Sequence, residues 1–161
     1  MKAYIDIETT GLSRKYHDLT VIGLGIEKNG SVEVIQLVDK TLTKKALLDS
    51  LEGITELYSY NGQRFDLPFI EAKFDINLKN LYKHNDLMFT CWKQNLKGGL
   101  KSVEQQLGIK RKLTGVDGFM AVQLYYDYIN NLNQQALQTL LDYNKEDVVN
   151  LQILREKLKV G

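Results

Sequence analysis

One cysteine, two histidines and no surplus of charge narrow the chemistry open to this chain of 161 residues. Cys91 has no second cysteine to pair with, which excludes an internal disulfide and a cysteine-rich zinc site. His17 and His84 lie far apart in sequence, so no histidine-based metal motif exists. The formal net charge is +1. Without a global basic excess, any case for nucleic acid must rest on local patches. No apolar run is long enough to span a bilayer, and the first residues run into a strand pattern, not a leader pattern. These absences predict a cytoplasmic protein with no membrane partner. The sequence leaves the oligomeric state open, and a monomer is assumed. What is present is ordinary for a globular protein, 43% hydrophobic and 25% charged. The length suits one domain over residues 1–161 with a sizeable core.

Alternation and β-branched residues predict strands over 2–8, 19–27, 32–38, 56–60 and 84–88, the second and third joined through the turn signal Asn29-Gly30. Helices are expected over 43–51, 67–74, 101–107, 119–128, 133–141 and 143–158, with Pro68 in a first turn and Gly108 as a stop. Strands first, then strand–helix alternation, then helices predicts an α/β fold, a mixed sheet with helices packed on it.

Three carboxylate signals punctuate this order. The first is Asp6-Ile7-Glu8-Thr9-Thr10-Gly11. Side chains two apart share a strand face, so Asp6 and Glu8 lie side by side and repel. Either the strand is an edge whose polar face meets water, or a divalent cation relieves the repulsion, since Mg²⁺ and Mn²⁺ prefer carboxylate oxygens. The second is Asn61-Gly62-Gln63-Arg64-Phe65-Asp66, where Asn61-Gly62 is a turn dipeptide and Asp66 is placed to cap a helix. The third is Tyr143-Asn144-Lys145-Glu146-Asp147. One helical face there reads Tyr143, Asp147, Leu151, Leu154, Leu158, which puts Asp147 on an apolar stripe. Such breaks in binary patterning concentrate at functional sites. Asp147 is expected either to hold a metal or to pair with a buried Lys or Arg. Asp142 and Glu146 point elsewhere, as solvated or helix-start charges.

In order, the three motifs resemble those of the DEDD (DnaQ-like) 3′–5′ exonuclease superfamily, in the subgroup with tyrosine in the third motif. The chain is most similar to the YprB-type ribonuclease-H-like domain. Val21-Ile22-Gly23-Leu24-Gly25, Gly99-Leu100-Lys101-Ser102-Val103-Glu104 and the run from Tyr143 to Leu151 support the likeness. The resemblance implies a ribonuclease-H-like fold: antiparallel first strands, then parallel ones, with helices on both faces. It implies a metal-dependent exonuclease acting on single-stranded DNA or RNA ends with two divalent cations, Mg²⁺ or Mn²⁺. Asp6, Glu8, Asp66 and Asp147 would be the metal ligands, and Tyr143 would join them as a catalytic residue by orienting the attacking water. A free phenol titrates near ~10, so Tyr143 is an orienter more than a base. Thr9, Thr10, Gly11 and Leu12 would touch the terminal nucleotide, with Asn61 and Phe65 placing its sugar or base. An endonuclease with the same centre, a non-catalytic nucleic-acid-binding module and a purely structural cation site are the rival expectations.

Outside the motifs, Trp92 is either a base-stacking platform or core. Lys93, Lys97, Lys101, Lys110, Arg111 and Lys112 form a basic, loop-rich region that either contacts phosphates or is a solvated surface. Asp86, at the end of the last expected strand, is either a further carboxylate near the site or structural, and the structural reading is preferred.

Overall fold

The computed structural model describes residues 1–160. Its centre is β1 (Lys2–Thr9), which pairs antiparallel with β2 (Leu19–Lys28) and parallel with β4 (Glu56–Ser59). β3 (Ser31–Val38) extends one edge and β5 (Lys83–Asp86) the other, giving a five-stranded sheet in the order β3-β2-β1-β4-β5. The first three strands are antiparallel and the last two join in parallel, as the family resemblance implies.

A strand buried on both faces must carry apolar side chains both ways. Ala3, Ile5 and Ile7 point into a core completed by α1 (Lys44–Ser50) and α2 (Asp66–Phe74). Tyr4 points into the opposite core, with Leu87 and Cys91 of α3 (Leu87–Lys93), Val103 of α4 (Leu100–Leu107) and Val148, Leu151 and Leu154 of α6 (Gln134–Leu158). Asp6 and Glu8 follow Tyr4 on this face, beneath α6. β1 is therefore no edge strand, and its carboxylates do not meet bulk water as an edge would allow. A third cluster joins α5 (Gly118–Asn131) to α6 through Ala121, Leu140 and Tyr143.

Close approach of α6 to the sheet depends on β2. Gly23 lies opposite Asp6 and Gly25 opposite Tyr4. A Cβ on Gly23 would stand 2.1 Å from Asn144 Oδ1 and 2.8 Å from Val148 Cγ2. The bare backbone lets the helix sit low enough for Asn144 and Asp147 to reach β1.

Two expectations are corrected. Residues 133–141 and 143–158 form one helix, α6, because nothing between Asn133, whose side chain caps it, and Leu158 can end a helix. The strand expected over 84–88 stops at Asp86, which accepts a hydrogen bond from Met88 N at 3.0 Å and so starts α3, a helix the sequence pattern did not suggest. No described helix is long and apolar enough to cross a membrane.

Candidate metal centre and nucleic-acid cleft

Three carboxylates meet at the end of β1. One oxygen each from Asp6, Glu8 and Asp147 can be chosen so that all lie within 4.8 Å of one another. The strand alternation supplies the first two and the core-facing stripe of α6 the third. Asp66 enters from the first turn of α2, where its Oδ2 accepts a hydrogen bond from Ile7 N at 3.0 Å. The pairing of β1 with β4 runs from Lys2 to Tyr4, so beyond it the Asp66 carboxylate takes a β1 donor that no strand claims. It is not the side-chain cap of its helix that the turn pattern suggested; the cap position belongs to Phe65.

Electrostatics at this spot are poorly balanced. Burial pushes the Glu8 carboxyl up to about 8, with Asp147 adding repulsion and a hydrogen bond with Asn144 opposing it. Burial pushes Asp66 up to about 7, against the pull of the Ile7 N–H. Asp6 is held well above the carboxylate range, by burial first and then by Asp147, Glu8 and Asp66. Asp147 is also raised, by burial outweighing the attraction of Arg111. Raised carboxyls signal a demand for positive charge that the chain alone leaves unmet. Hard oxygen donors crowded in this way fit a divalent cation of the Mg²⁺ or Mn²⁺ type.

Asn144 braces the cluster. Its Nδ2 donates to the Asp6 carbonyl at 3.0 Å and to Asp6 Oδ2 at 3.3 Å. Gln36 Nε2 fixes that orientation by donating to Asn144 Oδ1 at 2.9 Å and to Leu141 O at 2.8 Å. Neither residue was singled out from the sequence, although Asn144 sits inside the third motif. Tyr143 lies beside the carboxylates, and Lys101 Nζ donates to its hydroxyl at 2.9 Å. Burial, then the nearby Asp147, Glu8 and Asp6, hold the phenol far above its usual range. It is protonated at neutral pH.

The largest difference from expectation is Arg111. The sequence puts it in a basic, loop-rich region that either contacts phosphates or is a solvated surface, yet its side chain is 10% exposed. Its Nε donates to Glu104 Oε1 at 2.8 Å, and one terminal nitrogen donates to Asp147. Glu104 is 1% exposed and also takes the Asn150 amide. The buried-cation partner weighed for Asp147 is therefore present, beside a carboxylate cluster that still lacks positive charge. Lys93, Lys97, Lys110 and Lys112 are exposed, and Lys101 is half-buried.

A cleft of about 600 Å³ opens over Asp6, Glu8, Tyr143 and Asp147. Thr9, Thr10, Gly11, Leu12 and Phe65 line it. The loop after β1 is closed on itself: Thr9 Oγ1 donates to Gly11 O at 2.7 Å, and Thr10 N donates to Asp18 O at 2.9 Å. His17 packs so tightly on Gly11 that a Cβ there would stand 2.5 Å from its ring. Leu12 is left 86% exposed on the rim, and Phe119 of α5, which also lines the cleft and which the sequence did not suggest, is 72% exposed. Asn61 lies outside this lining; its backbone N donates to Asp86 Oδ1 at 2.8 Å in a left-handed turn. Asp86 also accepts from Gln63 N at 3.1 Å, so its role is structural, as expected. Trp92 is 41% exposed, with the Arg64 guanidinium 5.3 Å from its ring centre.

A family model for the RNase_H superfamily matches residues 3–159. The chain belongs to this superfamily. It is 31% identical over 163 residues to YprB of Bacillus subtilis (strain 168), covering 92% of this chain and 39% of that one. The chain thus spans well under half the length of that relative. Among solved structures it is similar to Brucella melitensis NrnC bound to pGG, with a TM-score of 0.64 and 20% identity over 98% of this chain and 71% of that one. It is also similar to Brucella melitensis NrnC with bound Mg²⁺, with a TM-score of 0.54 and 20% identity over 98% of this chain and 83% of that one. The architecture is that of the ribonuclease-H-like nucleases.

Proposed function

We propose that this protein is a metal-dependent 3′–5′ exonuclease that hydrolyses single-stranded DNA or RNA ends and releases nucleoside 5′-monophosphates. The observation that carries the reading is the convergence of Asp6, Glu8 and Asp147 at the floor of an open cleft. Superfamily membership and the nuclease relatives, one of them seen with Mg²⁺ and with pGG, support it.

Asp6, Glu8, Asp66 and Asp147 would hold two divalent cations, Mg²⁺ or Mn²⁺. The cations, when bound, supply the positive charge that stabilises attack of water on a phosphodiester. The chain's own residues do the rest. Asn144 and Gln36 keep Asp6 oriented. The protonated Tyr143 hydroxyl orients the attacking water, and Lys101 holds that hydroxyl in place. The backbone of Thr9, Thr10 and Gly11 lies against the terminal nucleoside, and Leu12, Phe65 and Phe119 offer its base apolar surface.

End-labelled single-stranded DNA and RNA, incubated with Mg²⁺, with Mn²⁺ or with chelator, test the reading beside an Asp6→Ala control. A ladder shrinking from the 3′ end, dependent on metal and on Asp6, is the expected result. Internal cuts would replace the exonuclease with an endonuclease. Metal-dependent binding without cleavage would leave a nucleic-acid-binding module.

A further inference from the structure

The basic side chains beside the carboxylates meet in a second cavity of about 270 Å³. It shares Asp6, Tyr143 and Asp147 with the large cleft. Its other walls are Tyr60, Gly99, Leu100, Lys101 and Arg111, none of which lines the large cleft. The two cavities therefore meet at the carboxylates and diverge from them.

Three observations give the smaller one the character of an anion site. Arg111 is locked in place by Glu104 and Asp147, yet its Nη1 is buried without a hydrogen-bond partner. A buried N–H without a hydrogen-bond acceptor is costly, and the carboxylate that faces this nitrogen, Glu146 Oε1 at 3.9 Å, lies beyond hydrogen-bond reach. Lys101 Nζ donates to Val116 O at 2.6 Å and to the Tyr143 hydroxyl at 2.9 Å. An ammonium has a third donor to give. Finally, α4 begins here: Gly99 caps it without a side chain, and no acidic residue stands in its first turn, so its free N–H groups meet no negative charge from the helix itself.

We propose that this cavity is a phosphodiester subsite, built on Arg111, that holds the linkage one nucleotide inward from the reacting one. The inference rests on the exonuclease reading. The apolar rim of the large cleft suits a nucleoside, and the reacting phosphate belongs at the carboxylates between the two cavities. The next phosphate of the strand then falls to the cavity with the guanidinium, the ammonium and the helix N-terminus. Arg111 thus has two faces. One neutralises Asp147, and the other fixes the register of the strand.

The test is a thermodynamic cycle read by fluorescence anisotropy, with Ca²⁺ added to permit binding without turnover. The probes are a single-stranded DNA oligonucleotide and versions carrying one neutral methylphosphonate, at the first, second or fifth linkage from the 3′ end. Neutralising the second linkage should weaken binding to the wild type about tenfold or more, the fifth hardly at all. Arg111→Gln should bind the unmodified strand and the second-linkage version equally. Lys101→Gln, which leaves the Arg111–Glu104–Asp147 pairing untouched, should lose part of the same penalty and keeps the test valid if Arg111→Gln does not fold. A penalty at the second linkage that survives in both variants overturns the proposal. So does coupling of Arg111 to the first linkage alone, or a uniform loss of affinity for every probe in both variants. A wild type that binds no probe refutes the exonuclease reading itself, which is distinct from binding that lacks the second-linkage penalty.

Discussion

Glu8→Gln should make the cation-free protein more stable, and only at high pH. The Glu8 carboxyl ordinarily titrates at 4.5 and is pushed to about 8 in the folded chain by burial, with Asp147 adding to it. Between those values the folded state keeps a proton that the unfolded state has released. Stability therefore falls as pH rises through that window, by ~1.4 kcal/mol for each pH step of one. The loss is absent below 4.5 and complete by about 8, where it reaches roughly 4–5 kcal/mol. Glutamine cannot ionise, and its carbonyl keeps the capacity to accept from Asn144, so the variant escapes the loss. In a chain of this size 1 kcal/mol moves Tm by ~2–4 °C. Differential scanning calorimetry in chelator at pH 5, 6.5 and 8 should show wild type and variant melting together at pH 5. At pH 8 the variant should lead by roughly 10 °C. Saturating Mn²⁺ should reverse the order, because a ligand bound only by the folded wild type stabilises it alone. A gap that does not change with pH, or a wild type that gains stability from pH 5 to pH 8 in chelator, would refute the reasoning.

Asp147→Ala should abolish cleavage. It should also cost the cation-free protein about 2–4 kcal/mol in urea denaturation, because Arg111 stays buried with Glu104 as its remaining close partner. Tyr143→Phe should lower kcat about 10²-fold with little change in KM, and the wild-type rate should show no limb near pH 10, since the phenol stays protonated there. Gly23→Ala should destabilise by ~1–3 kcal/mol and weaken Mn²⁺ binding in calorimetric titration, because the new Cβ would displace Asn144 from Asp6. Asp86→Ala frees the backbone N–H groups of Asn61, Gln63 and Met88. It should lower the urea midpoint by an amount equivalent to ~2–3 kcal/mol.

The central sheet was legible because burial on both faces leaves a plain mark. Alternation in β1 separates Ala3, Ile5 and Ile7 from Tyr4, Asp6 and Glu8, and the two sets do enter opposite cores. In the sequence, helix α6 reads as two pieces because Tyr143 looks like the head of a motif. Yet no Gly or Pro stands between Gln134 and Leu158 to interrupt it. The start of α3 was equally available in Asp86, whose carboxylate caps it, but the residues around it also suit a strand end. Trp92 shows the opposite limit. Exposure of a lone tryptophan depends on whether a neighbour can cover it, and here Arg64, distant in sequence, lies over Trp92 and Phe89 without closing the face.

Asp147 marks where sequence reasoning ends at the candidate site. A carboxylate on a core-facing stripe must be answered by positive charge, and that requirement can be read from the spacing of α6 alone. Which charge answers depends on reach. In sequence Lys110, Arg111 and Lys112 are three equivalent basic residues, but only Arg111 is withdrawn from solvent; both lysines are exposed. The selection is made by Glu146, whose carboxylate accepts from Lys112 N at 2.8 Å and from Leu113 N at 3.1 Å and so draws the loop onto α6. Glu104 then takes the Nε edge of the fork, a geometry a lysine lacks. The guanidinium that reaches Asp147 is thus positioned by two acids, Glu104 and Glu146; the second, the immediate neighbour of Asp147, reads in the sequence as a solvated or helix-start charge, yet its side chain is 15% exposed and bonded to the loop. That is why the carboxylates of this site were visible in the sequence and their counter-charge was not.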